Sequence, residues 1–198
     1  MNFKLSSGIA FAAAALAAAA ISTPNTAHAH MVKAPCDFVT SGGFVFKDSG
    51  AMANFGADGG CKNGDFWGKV NYVDHETGFH LNSTRITGYL WDPAIPNARD
   101  ICGWARVNDS SYEEQFRVRV IDNGEPGRDD EFGIIVDNTH SAGDRFYLVT
   151  TRSLGGSNNG GGNVQLNKSN PSTTAGPGFF DLREWQMCGD LNTPSPLF

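Results

Sequence analysis

Between Asp37 and Lys168 the chain runs in short stretches of apolar and β-branched residues broken by glycine, asparagine, aspartate and proline, and in places apolar and polar positions alternate with a period of two. The clearest stretch is 114–122, where Phe116, Val118 and Val120 alternate with Arg117 and Arg119. One side of that segment faces a core and the other faces water or a polar neighbour. A helix would scatter the same residues around its surface. Segments rich in Val, Phe, Tyr, Ile and Thr between glycines have the composition of strands joined by turns, and predict strands over 37–46, 51–56, 65–74, 79–91, 99–108, 114–122, 130–137, 146–152 and 162–168.

The connectors decide which strands are neighbours. His75-Glu76-Thr77-Gly78 and the run Asp122-Asn123-Gly124-Glu125-Pro126-Gly127 read as tight turns between consecutive strands. Short links make neighbours antiparallel. The predicted fold is therefore all-β: an antiparallel meander, barrel-like, with a two-sheet β-sandwich as the alternative. LGGSNNGGG at 154–162 reads as a flexible connector, because no phosphate-binding pattern leads from it into a helix. A Pro/Ser/Thr/Gly-rich surface linker follows at 169–178. A C-terminal extension, 179–198, then returns Phe180, Leu182 and Trp185 to the body through a short helical turn in FDLREWQM.

The first 29 residues belong to another pattern. Lys4, an Ala-rich apolar run over 9–21 and the small residues of Ala27-His28-Ala29 form an export signal with cleavage after Ala29. No other segment approaches the ~20 apolar residues of a spanning helix. The expectation is a signal peptide over 1–29 and one domain over 30–198, secreted to the extracellular space or periplasm. Cleavage removes one of the 15 Lys and Arg and none of the acids, so 14 basic residues face 21 acidic ones and the net charge is −7. Nucleic acid is excluded as a partner, since its binding rests on cationic contacts to phosphate.

Four cysteines, Cys36, Cys61, Cys102 and Cys188, in an exported chain imply two disulfides. Of the three pairings, proximity of the chain ends favours Cys36 with Cys188 and Cys61 with Cys102.

The order of short motifs then becomes informative. CDFVTSGGF at 36–44, ANFGADGGCKNGDFWGKVNYVDHETGFHLNSTRITGYL at 53–90, RDICGWA at 99–105, FRVRVIDNGEPG at 116–127, and YLVTTRSLGG with GGGNVQLNK within 147–168 resemble the secreted bacterial post-COAP domains. The resemblance implies an extracellular β-rich module. It supplies no catalytic residues.

Candidate chemistry is sparse. Cleavage after Ala29 would give His30 a free amine beside its imidazole, a bidentate copper site once His75, His80 or His140 joins it. HMVKAP also loosely resembles the HGxVxxP opening of lytic polysaccharide monooxygenases, but Met31 replaces the small residue and the proline comes one position early. His75 and His80, with Asp74 and Glu76, form either a metal or acid–base group or a solvated hairpin turn. Asp122, Asn123, Glu125, Asp129, Asp130 and Glu131 offer calcium the oxygen ligands it prefers, although Arg128 sits among them and the spacing is not that of an EF-hand.

No Gly-x-Ser-x-Gly motif is present. Aromatic residues remain as ligand contacts. Trp67 and Trp91 are the candidates, and Trp67 points opposite to Phe66 on the same strand. The reading that follows is a secreted or cell-surface, non-catalytic binding module for an extracellular ligand such as a glycan or a surface protein. The alternatives are a copper-dependent oxidative enzyme acting on polysaccharide through His30 and a carbohydrate-binding module. No cofactor is predicted; copper and calcium are the candidates.

Overall fold

The computed structural model describes residues 30–31 (backbone), 36–137, 146–155 and 160–173. They form one antiparallel sheet of ten strands. In chain order these are β1 (His30–Met31), β2 (Phe38–Phe46), β3 (Met52–Lys62), β4 (Asp65–Asp74), β5 (His80–Asp92), β6 (Ile95–Val107), β7 (Glu113–Ile121), β8 (Glu131–Asp137), β9 (Phe146–Ser153) and β10 (Gly161–Asn167). Strands β2 to β9 follow one another as a meander, and β10 returns to the free side of β2. The short β1 pairs with the far end of β5, with His30 opposite Trp91. The sheet curls on itself into a half-barrel, and the predicted meander is observed as this single sheet.

Alternation explains the curl. Val39, Phe55, Tyr72, Phe116, Val118 and Phe132 point inward and are buried in one core, where Phe55 stacks on Phe132 with ring centres 3.9 Å apart. Strands β9 and β10 form the two edges of the sheet. Side chains bridge toward each edge. On the β9 side, Tyr147 stacks on Phe79 at 3.9 Å and donates from its hydroxyl to Asp74 at 2.9 Å, and Arg152 pairs with Asp48. On the β10 side the β7–β8 connection lies alongside the edge: Asp130 accepts the Val164 N–H and Asp122 accepts the Leu166 N–H, each at 2.7 Å.

The cysteine pairing differs from the expectation. Cys36 bonds to Cys61, with Cα atoms 5.8 Å apart. The hairpin register is the reason: Phe38 faces Gly60 across β2 and β3, so Cys36 and Cys61 meet at the same end of that hairpin. Neither Cys36–Cys188 nor Cys61–Cys102 forms. Cys102 is also disulfide-bonded, and Cys188 lies outside the described residues. The first residues of the predicted linker are anchored to this end, since Thr173 and Ser172 accept hydrogen bonds from the backbone of Cys36 and Asn63. The helical turn over 180–187 and the packing of Phe180, Leu182 and Trp185 lie outside the described residues.

Candidate functional site

The two halves of the sheet differ on their outer side. In β6 to β8 both faces are buried over most of their length. The outward Asp100 accepts Arg117 Nη2 at 2.6 Å and Arg119 Nε at 2.7 Å, and Arg119 reaches Asp92 at 3.1 Å. Burial pushes the Asp100 carboxyl up, but the two guanidinium groups outweigh it and hold it below the ordinary carboxylate range. Arg117 and Arg119 thus face the polar neighbour that the alternation predicts. This half is covered and internally paired.

The outer side of β10, β2, β3 and β4 is open. Registers align its residues in rows across the strands. One row is Asn167, Phe38, Gly60 and Trp67; another is Asn163, Gly42, Gly56, Asn71 and, on β5, Asn82; a third is Gly161, Phe44, Asn54 and Val73. Phe38 and Trp67 lean together over Gly60 with ring centres 5.9 Å apart, and a Cβ on Gly60 would stand 2.6 Å from Phe38 Cβ. Phe44 covers Gly161, where a Cβ would lie 2.7 Å from Phe44 Cε1, and it meets Phe46 edge-on at 5.8 Å.

The Gly42–Gly56 pair lies between these aromatic groups. A Cβ on Gly56 would have nothing within 4 Å among the described residues, and one on Gly42 only the Phe55 carbonyl at 3.7 Å. Neither glycine has a positive φ. From the Phe38 row to the Phe44 row is six residues of strand, roughly 20 Å. The result is a trough with a backbone floor and an aromatic group at each end.

Amides line both sides of the trough. On β10, Asn163, Gln165 and Asn167 point outward at every second position; on β4, Asn71 faces the glycine pair. The Gln165 and Asn82 amides are exposed and have no side-chain partner among the described residues. The charges within the trough are Asp58 and Lys69, both engaged: Asp58 accepts the Ser41 N–H at 3.0 Å, and Lys69 donates to the Ser83 carbonyl at 2.6 Å.

The candidates from the sequence are distributed as follows. Trp67 points outward, while Phe66 packs against the core. Trp91 sits at the far end of β5 beside β1, away from the trough. His30 pairs there too, whereas His80 begins β5 eleven residues earlier, a separation on the order of 30 Å. His75, in the turn before β5, is bonded to Asn54 Oδ1 at 2.5 Å, and His80 approaches Asn71 Nδ2 at 3.3 Å. The structure therefore does not bring His30 together with His75 or His80; His140 lies outside the described residues.

Asp122 and Asp130 have backbone partners on every carboxylate oxygen. Asp122 also accepts Gly124 N–H at 2.9 Å, and Asp130 accepts Asn123 N–H at 2.8 Å. Burial raises the Asp130 pKa, and the negative charges of Asp122 and Glu125 add to that rise, against the two N–H bonds that lower it. Asp129 is exposed and contributes its backbone carbonyl to Asn123 Nδ2. No group of three or more His, Cys, Asp or Glu side chains suited to a metal converges among the described residues. Asp74 anchors a different network. Burial pushes its carboxyl up, but Lys47, Thr77, the Glu76 N–H and Tyr147 outweigh that and hold it at about 2.

No family model, curated protein or solved structure matches the chain. Among the described residues, no helix is long and apolar enough to cross a membrane.

The trough residues were accessible to sequence reasoning in part. Glycines within the strand TSGGF at 40–44 and the alternating amides of NVQLN at 163–167 are both unusual for a half-buried sheet. What identifies the pair is the register that sets Gly42 against Gly56.

Proposed function

We propose that this chain is an exported, non-catalytic binding module whose ligand rests on the outer face of β10, β2, β3 and β4. The observation that carries the reading is the Gly42–Gly56 pair. Glycine inside a strand destabilises it by roughly 0.5–1 kcal/mol relative to alanine. At Gly59, Gly60, Gly103 and Gly133 that loss is explained by close neighbours, as at Gly59, where a Cβ would stand 2.9 Å from Ile101 Cγ1. At Gly42 and Gly56 no such clash exists among the described residues. A paired gap in the side-chain layer between aromatic groups is what close approach of a ligand to the backbone requires. The export signal, the paired cysteines and the motif resemblance to secreted post-COAP domains support an extracellular setting for such a module.

Depletion from solution by suspended chitin, cellulose and peptidoglycan tests the reading. Wild-type protein is expected to be removed by at least one of them, and Gly42→Val and Gly56→Val to stay in the supernatant. Equal depletion of all three proteins, or of none, contradicts the reading.

A further inference from the structure

We propose that the ligand is an extended, uncharged polysaccharide segment lying along β2 and β3 over Gly42 and Gly56, with sugar rings against Phe38 and Trp67 at one end and Phe44 at the other. This rests on the reading of the trough as the ligand surface and adds the chemical class of its occupant. Three features of the site select that class.

The first is hydrogen bonding. A sugar hydroxyl both donates and accepts, and a primary amide carries both functions on one planar group. The free amides of the trough are Gln165 on β10 and Asn82 on β5, which are exposed; between them Asn71 spends its Nδ2 on His80 at 3.3 Å and keeps its Oδ1, while Asn163 donates to Glu125 at 3.3 Å and forms the rim. The second is charge. Among the described residues the trough floor holds one carboxylate, Asp58, and one ammonium, Lys69, each already bonded within the protein, and Glu125 at the rim is bonded to Asn163. A polyanion finds no free cation cluster there, and a polycation finds no free acid cluster. The third is geometry. The floor is a sheet face, with its backbone N–H and C=O groups committed to neighbouring strands. A peptide adding by strand pairing needs an edge instead.

The aromatic ends and the open middle assign different tasks along the same ligand. Aromatic faces take up the apolar faces of rings. The glycine floor lets the chain between them descend to the level of the backbone, where the flanking amides reach its hydroxyls.

Isothermal titration with soluble hexaoses of β-1,4-linked glucose, N-acetylglucosamine, xylose and mannose tests the class, with polygalacturonate, heparin and a proline-rich peptide as the other arms. Wild type, Gly56→Val and Trp67→Ala are compared, and thermal melts confirm that each variant is folded. At least one neutral hexaose is expected to bind, with a Kd unchanged between about 50 and about 500 mM salt. Gly56→Val is expected to weaken it by more than tenfold and Trp67→Ala by about tenfold.

Binding that responds to Gly56→Val but occurs only with a charged polymer or the peptide overturns the ligand class and leaves the trough as the site. Binding indifferent to Gly56→Val, or absent from every arm, overturns both.

Discussion

Replacing Gly56 by alanine is expected to stabilise the protein. The added methyl enters open space, since nothing among the described residues stands within 4 Å of its position, and the backbone there has no positive φ to strain. The gain is the reduced freedom of the unfolded chain plus a better strand former, roughly 0.5–1 kcal/mol. For a domain of this size that is a rise of about 2–4 °C in Tm per kcal/mol. Gly59→Ala, three residues along the same strand, is the control. Its methyl points into the core, 2.9 Å from Ile101 Cγ1, so overpacking is expected to cost about 1–3 kcal/mol. Urea denaturation followed by tryptophan fluorescence resolves both signs as shifts in the midpoint. If Gly56→Ala lowers the midpoint as far as Gly59→Ala does, the outer glycine is a packing requirement and the argument from its openness collapses.

Further predictions concern what holds the half-barrel together. Removing the Cys36–Cys61 bond by Cys→Ser exchange at both positions should cost about 3.5 kcal/mol by the chain-entropy relation for a sequence separation of 25, read from the loss in urea midpoint under oxidising conditions. Asp130→Ala leaves the Val164 and Asn123 N–H groups without acceptors, so a loss of about 1–3 kcal/mol per orphaned donor and faster hydrogen exchange at Val164 are expected; unchanged exchange there refutes the edge-capping role. Asp74 has a folded pKa of about 2 against an ordinary value of 3.8, so its contribution is fully present above about pH 4 and is lost as pH falls toward 2. The difference in stability between wild type and Asp74→Asn should accordingly shrink across that interval in acid melts.

The nine long strands were legible in position because their determinants are local: β-branched and aromatic composition, alternation in 114–122, and turn residues such as those at His75–Gly78 need no knowledge of the partner strand. β3 was legible only in its first half, since the predicted 51–56 ends where glycines at 56, 59 and 60 interrupt the pattern, yet the strand runs to Lys62. β1 escaped because two residues carry no period. What depends on register was out of reach. The Cys36–Cys61 bond follows from Phe38 standing opposite Gly60, and the roles of Asp122 and Asp130 follow from β10 returning to β2, which brings Leu166 and Val164, 44 and 34 residues further along the chain, to those carboxylates. The same acids that read as oxygen ligands in a row are, in space, acceptors for a strand edge. Trp67 was visible singly, but the trough that gives it a role needed the alignment of four strands.

The most direct test of the binding face is a titration of isotope-labelled protein with the tightest-binding neutral hexaose, followed by backbone and indole N–H shifts. The account predicts changes concentrated at Gly42, Gly56, Asn71, Asn163, Gln165 and the Trp67 indole, with the covered side of β6 to β8 silent. Shifts that leave Gly42 and Gly56 unmoved and gather instead on the 122–131 connection or along β9 would contradict it.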